Sequence, residues 1–173
     1  MSYTLIDGKS FAEKLVIKVA DAVNVLNTKH QIKPGLAVVL VGQNPASEVY
    51  VKNKVRQTKN SGMGSVEHRL PDTTSESDLL SLVNKLNEDD KIDGILVQLP
   101  LPDHIDEKSI INAIKPSKDV DGFSIPNVGL LSTSVSGLIP CTPLGCLLLL
   151  KSYVGDLSGK SAVIIGRPNI VGK

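Results

Sequence analysis

The sequence predicts an α/β fold, a mostly parallel sheet with helices on both faces. Two observations carry this expectation. Short, continuous apolar runs bounded by turn residues fit strands that are covered on both sides. Between them lie segments whose apolar residues recur at helical intervals, and strand–helix alternation builds parallel sheets through crossover connections. The 173 residues are 41% hydrophobic and 21% charged, so the chain can bury a core and is not expected to be disordered.

Ser10-Phe11-Ala12-Glu13 has the spacing of a capping box, and Phe11, Leu15, Val19, Val23 and Leu26 then follow a helical period, predicting an amphipathic first helix. Residues 35–42 form an apolar run after Pro34 that ends at Gly42, as a buried strand would. From Ser47 to about Ser61 the pattern is helical, with Ser47 available as N-cap and Gly62 placed to end it. Residues 64–70 read as another strand. Ser75 and Asp78 open a third helix with Leu79, Leu82, Val83 and Leu86 on one side. Residues 92–99 form the next strand, and a shorter helix is expected from Asp106 to Ile114, before Pro116.

The turn-rich stretch 115–143 reads as a domain connection. Thr142 and Pro143 make an N-cap and N1 pair, so a helix is expected to begin there and to include residues 146–150. After Gly155 and Gly159, residues 161–166 read as a new buried strand running into a glycine turn. A strand and turn without a following helix cannot close a nucleotide-binding domain, so the chain is expected to be part of a longer protein.

Composition excludes several classes of function. Nineteen basic against eighteen acidic residues leave a formal charge of +1, too little to attract a phosphate backbone or an anionic membrane. Aromatics are 3%, too few for base-stacking platforms. No stretch has the length of a signal peptide or a membrane span, so the cytoplasm is the expected location. Cys141 and Cys146 have no Cys or His cluster beside them, which argues against a metal site or disulfide framework and makes both expected core or pocket-wall residues.

In parallel sheets ligands gather outside the carboxyl ends of the strands. That directs attention to Gly42-Gln43-Asn44-Pro45 and to Gln98-Leu99-Pro100-Leu101-Pro102. Tyr50 and Lys54, four apart, project from one helix face, although spacing alone favours a snorkelling surface lysine beside a half-buried tyrosine. Gln98, ending an apolar strand, either satisfies its amide within the scaffold or points it into the pocket. Asp119 and Asp121, in a loop before Gly122, have solvated or capping roles as their ordinary reading. Residues 166–173 match neither a P-loop nor the dinucleotide glycine fingerprint, and a plain strand-to-helix turn fits them as well as a phosphate-binding one.

Read together, the segments resemble the bifunctional methylenetetrahydrofolate dehydrogenase/cyclohydrolase family. The matching blocks are Val41-Gly42 with residues 45–54, residues 93–102, Lys118-Asp119-Val120-Asp121-Gly122-Phe123, Pro140-Cys141-Thr142-Pro143-Leu144-Gly145, and residues 166–173. The resemblance implies oxidation of 5,10-methylenetetrahydrofolate with NADP to the methenyl cation and hydrolysis of that cation to 10-formyltetrahydrofolate. It makes Lys54 the general acid/base of the hydrolysis, Gln98 the residue that holds and tunes it, and Tyr50 the ring that packs on the folate and helps position Lys54. Asp121, not Asp119, would hydrogen-bond the pterin.

The resemblance further implies that Val97, Leu99 and Pro100 line the folate site, and that Thr142, Gly166, Arg167 and Pro168 contact NADP. Arg167 suits a 2′-phosphate, whereas Pro168 stands where the family commonly has serine. A folate-binding catalytic domain over residues 1–140, the incomplete start of a Rossmann-type cofactor domain over 141–173, and a homodimer are expected. The chemistry agrees with these roles. A lysine in water, with a pKa of about 10.4, is a poor base at neutral pH, and burial beside a neutral amide disfavours its charged form. Gln98 accepts a hydrogen bond from the amine without adding negative charge, and a carboxylate at Asp121 can accept paired pterin N–H groups.

Overall fold

The structure, a computed structural model, describes residues 5–166. Its centre is a three-stranded, all-parallel sheet in the order β2-β1-β3, made by β1 (Gly35–Val41), β2 (Gly64–Leu70) and β3 (Gly94–Val97). The expected third strand is shorter than its apolar run, but Gln98 continues the ladder by donating its backbone N–H to the Val39 carbonyl at 2.8 Å.

Helix α2 (Pro45–Asn60) connects β1 to β2, and α3 (Glu76–Glu88) carries the chain back past β1 to β3. The two crossovers run in opposite directions along the sheet. Since crossovers keep one hand, their helices lie on opposite faces. Side chains alternate accordingly: Ala37, Val39 and Val41 pack with Leu79, Val83 and Leu86 of α3 and with Ile110 of α4 (Glu107–Ala113). Val38 and Leu40 face the other way, onto Val51 of α2. Each fully buried Leu, Ile or Val contributes about 1.5–3 kcal/mol, so this double layer supplies the main stabilisation of the scaffold.

Several expected boundaries move. Helix α1 (Gly8–His30) is capped by Asp7, whose carboxylate accepts the Ser10 N–H at 3.0 Å, so Ser10 lies inside the first turn. Of its apolar stripe only Val23 is buried. Asn44 caps α2, accepting the N–H groups of Ala46 and Ser47 with Pro45 at the start of the helix; Ser47 is buried inside the helix and is not the cap. Ser75 caps α3, as its pattern predicts, whereas α4 is one residue shorter at each end than expected, with Asp106 as its cap.

The stretch 115–143 is not merely a connection. It contains α5 (Ile125–Ser132) and buries Asp119, Ser124 and Asn127. Helix α6 (Cys141–Val154) starts one residue ahead of Thr142, with Pro140 at the cap position and no capping side chain. No residue of α6 is buried, and Cys141 and Cys146 are both exposed, contrary to a core placement.

Residues 161–166 form no strand, and Ile165 is 97% exposed. A strand exists only through its ladder partners, and among the described residues none pairs with this run. No described helix is long and apolar enough to cross a membrane.

Candidate functional site

The sheet order sets the location of the site. The connection leaving β1 passes over one face and the connection leaving β3 over the other, so a crevice opens between the carboxyl ends of these neighbouring strands. Side chains from α2 and from the end of β3 meet there.

Ser47, Tyr50 and Lys54 are spaced i, i+3 and i+7, which puts them along one side of α2. Lys54 is half-buried, and its Nζ donates to Gln98 Oε1 at 3.1 Å. Gln98 Nε2 donates in turn to the Leu99 carbonyl at 2.7 Å. With the amide nitrogen engaged by a carbonyl, only the amide oxygen is left to face the lysine, so the network fixes which way round Gln98 stands. Its backbone is held by the ladder bond to Val39, and the Ser47 hydroxyl reaches the Leu99 carbonyl at 3.4 Å. The Leu99–Pro100 peptide is cis.

Asp121 enters from the segment after α4. Residues 118–119 pair alongside β3: Ile95 donates to the Lys118 carbonyl at 2.7 Å, and Ile95 and Asp119 form a parallel bridge. The chain then turns, with Gly122 N–H donating back to the Asp119 carbonyl at 3.0 Å and Gly122 at φ +65°. A Cβ on Gly122 would stand 2.8 Å from the Leu138 carbonyl oxygen, so the close return of the chain requires glycine here.

Burial is the main cause that pushes the Asp121 carboxyl above its ordinary value; the Lys54 charge pulls it down and the Asp119 charge pushes it up. Cys141 belongs to the same neighbourhood. Although the residue as a whole is exposed, its thiol lies inward, donating to the Val120 carbonyl at 3.6 Å, and is pushed up by this local burial and by Asp121, with Lys54 opposing, which keeps it protonated.

The structure therefore brings Lys54, Gln98 and Asp121 together, with Leu99 beside them. Tyr50, 61% exposed, presents its ring to solvent one turn before Lys54. Val97 is buried in the sheet and Pro100 is exposed at its end. Asp119 takes the capping role expected of loop carboxylates. It is fully buried, and one oxygen accepts from the Ser124 N–H and the Asn127 amide.

Two participants escape a reading of spacing alone. Ser47 passes for an N-cap, although its i, i+3, i+7 relation to Tyr50 and Lys54 is visible in the sequence. Cys141, expected as a core or pocket-wall residue, stands at the edge of the site, and nothing local marks its approach to Val120 and Asp121.

Thr142 is exposed on α6, and Gly166 ends the unpaired run 161–166. Arg167 and Pro168 lie outside the described residues. The described residues thus form no shelf for a dinucleotide, and among them no three His, Cys, Asp or Glu side chains cluster as metal ligands. A groove of about 480 Å³ lies away from this site, between α1 and α6, walled by Phe11, Lys14, Lys18, Leu149 and Tyr153. It holds none of the converging polar groups just described.

Two family models match the chain: the tetrahydrofolate dehydrogenase/cyclohydrolase catalytic domain over residues 6–121 and the NAD(P)-binding domain of the same family over 140–173. Bifunctional protein FolD 2 of Roseobacter denitrificans is 59% identical over 173 residues, covering 100% of this chain and 58% of that protein. Bifunctional protein FolD of Caulobacter vibrioides is 53% identical over 169 residues, covering 98% and 57%. The chain thus spans less than two thirds of the length of these curated relatives. Among solved structures, the bifunctional FolD enzyme of Campylobacter jejuni superposes with a TM-score of 0.95 at 49% identity, covering 99% of this chain and 61% of that one. The Trypanosoma brucei methylenetetrahydrofolate dehydrogenase-cyclohydrolase, solved with NADP cofactor and inhibitor, gives 0.94 at 31% identity, covering 99% and 59%.

Proposed function

Since the chain belongs to the tetrahydrofolate dehydrogenase/cyclohydrolase family, we propose that it serves the oxidation of 5,10-methylenetetrahydrofolate and the hydrolysis of the resulting methenyl cation to 10-formyltetrahydrofolate. The observation that carries the hydrolytic half is the 3.1 Å bond from Lys54 Nζ to Gln98 Oε1, with the Asp121 carboxyl near enough to feel the Lys54 charge.

In this reading Asp121 accepts paired N–H groups of the pterin and fixes its orientation. Tyr50 lies against the folate ring system, and Val97, Leu99 and Pro100 form the wall beneath it. Lys54 takes a proton from water as the water oxygen bonds to the methenyl carbon, then gives that proton to the ring nitrogen as the carbon–nitrogen bond opens, while the hydroxyl left on the carbon loses its proton to solvent water and becomes the formyl carbonyl. Gln98 holds the amine in place and stays neutral. A glutamate there would hold the ammonium form too firmly for proton transfer.

NADP is the cofactor we propose. Arg167 is the type of residue that pairs a 2′-phosphate, and Gly166, Pro168 and Thr142 would lie along the cofactor. When bound, NADP would accept the hydride. The described residues do not form its cradle, and the 173 residues by themselves are expected to lack the NADP-dependent oxidation. We place the boundary between the folate domain and the first part of the cofactor domain at residues 140 and 141, supported by the start of α6 at Cys141. The homodimer belongs to the same proposal, and sedimentation mass decides it.

The test is direct: the chain is mixed with 5,10-methenyltetrahydrofolate without nucleotide and the methenyl absorbance is followed. Decay well above the buffer rate is expected. Folate binding without faster decay would leave a binding module and overturn the hydrolytic assignment.

A further inference from the structure

Asp119 has an unusual set of attachments for a residue two positions from the pterin-facing carboxylate. It is 1% exposed. Its backbone joins the sheet through the bridge to Ile95, and its carbonyl closes the turn by accepting the Gly122 N–H at 3.0 Å. Its side-chain Oδ2 accepts the Ser124 N–H at 2.8 Å and the Asn127 amide at 3.0 Å. Asn127 also donates to the Pro116 carbonyl at 2.9 Å, so the ring of bonds returns to the start of the segment.

Ser124 is the cap residue of α5, but its own hydroxyl makes no capping bond and is buried without a partner. The Ser124 N–H is satisfied instead by a carboxylate five residues earlier in the chain, and the Ile125 N–H by Asn112 Oδ1 at 3.0 Å. A negative charge is well placed there, because the first N–H groups of a helix lack partners and carry its positive end.

Asp121 stands between these anchors, at the third position of the turn that runs from Asp119 to Gly122. We propose that Asp119 is a positioning residue of the folate site: by clamping β3, the turn and the start of α5 together, it fixes where the Asp121 carboxylate points, and it acts on the ligand only through Asp121. This rests on the folate reading for its consequence, but the coupling of Asp119 to Asp121 stands on the geometry alone. The charged and titratable neighbours of Asp121 are Lys54, Asp119 and Cys141, and the buried charge of Asp119 opposes ionisation of Asp121 while Lys54 favours it.

The experiment compares the unsubstituted chain with Asp119→Asn and Asp119→Ala. Asparagine keeps an acceptor oxygen for Ser124 and Asn127 and removes the charge, whereas alanine removes both. The first readout needs no folate: the titration midpoint of the Asp121 carboxyl, followed by carbon-13 NMR. In Asp119→Asn the midpoint should fall toward the ordinary carboxylate value, because an opposing charge has gone.

The second readout is methenyl hydrolysis. Asp119→Ala should raise KM by about tenfold or more, the effect of losing an oriented hydrogen-bonding partner, while kcat changes by only about twofold. Asp119→Asn should stay within about threefold of the unsubstituted KM. A folate KM in folded Asp119→Ala within about threefold of the unsubstituted value overturns the proposal, and where Asp119→Ala does not fold, an Asp119→Asn KM raised as far as about tenfold, with the acceptor kept, overturns it. A chain that neither binds nor hydrolyses folate refutes the folate reading instead, and the midpoint still decides the coupling.

Discussion

Replacing Lys54 by glutamine separates catalysis from scaffold, because the two effects differ in size. The bond that disappears is a single one, 3.1 Å long, from a half-buried ammonium to a neutral amide. A hydrogen bond to a charged group contributes about 1.5–3 kcal/mol when well buried, and less here because water reaches part of Lys54 and a glutamine can itself bond the Gln98 amide. A stability loss of about 1 kcal/mol is therefore expected, small beside the 5–15 kcal/mol of a typical domain. Removal of a positioned acid/base costs about 10²–10⁴-fold in rate, or about 3–5 kcal/mol of barrier.

Lys54→Gln should accordingly fold, melt within a few degrees of the unsubstituted chain, and hydrolyse methenyltetrahydrofolate at least about a hundredfold more slowly. A second signature follows from Asp121. The Lys54 charge pulls the Asp121 carboxyl down, so its removal lets that carboxyl rise further. Folate KM in Lys54→Gln should then deteriorate more steeply on mild acidification than in the unsubstituted chain. The assays are stopped-flow methenyl absorbance across pH and thermal denaturation by circular dichroism. Hydrolysis within threefold of the unsubstituted rate, in a folded variant, would refute the role assigned to Lys54.

Asp121→Asn presents one donor and one acceptor where the pterin needs two acceptors, and should raise folate KM by about tenfold or more. Its stability effect has the opposite sense. Because burial raises the Asp121 carboxyl above 3.8, the stability that Asp121 contributes is fully present below that ordinary value and is lost as pH rises through the raised one. Asp121→Asn should therefore melt above the unsubstituted chain at neutral pH and converge with it in acid, whereas a constant gap across that range would contradict the burial argument. Gly122→Ala forces a side chain into left-handed backbone and toward the Leu138 carbonyl. It should cost about 1–3 kcal/mol and weaken folate binding together with it, as seen by denaturation and KM. Leu79→Ala, in the layer between α3 and β1, should cost about 2–5 kcal/mol in urea unfolding, with folate KM measured below the transition unchanged.

How much of this was legible in the sequence depended on whether the deciding interaction was local. The runs that became β1 and β3 stood out because strands covered on both faces leave no polar alternation to blur them, and Ser75 and Asp106 declared their helices because a cap is a short-range bond. Where two residues able to cap lay close together, the nearer-looking one lost: Asp7 displaced Ser10, and Asn44, with Pro45 behind it, displaced Ser47. Helix α5 was hidden because Pro126 and Gly129 imitate a turn and its capping carboxylate comes from Asp119, outside the window that local rules inspect. The run at 161–166 failed for the converse reason. Its composition is that of a strand, but pairing is supplied from elsewhere, and exposed valine and isoleucine are what remains without it.

The same distinction explains the site. Ser47, Tyr50 and Lys54 share a helix face, which a sequence can display, yet that spacing is equally that of a surface lysine. What makes Lys54 different is Gln98, 44 residues away and brought across the crevice by the order of the strands. Asp121 and Asp119 could be ranked only by the environment each enters. One carboxylate is partly buried within reach of the Lys54 charge; the other is consumed by Ser124 and Asn127. Alternation alone would put two carboxylates two residues apart on the same side of an extended segment, like charge beside like charge. Here the turn closed by Gly122 gives them separate tasks, so that a capping carboxylate and a ligand-facing one can stand two residues apart without competing for the same partners.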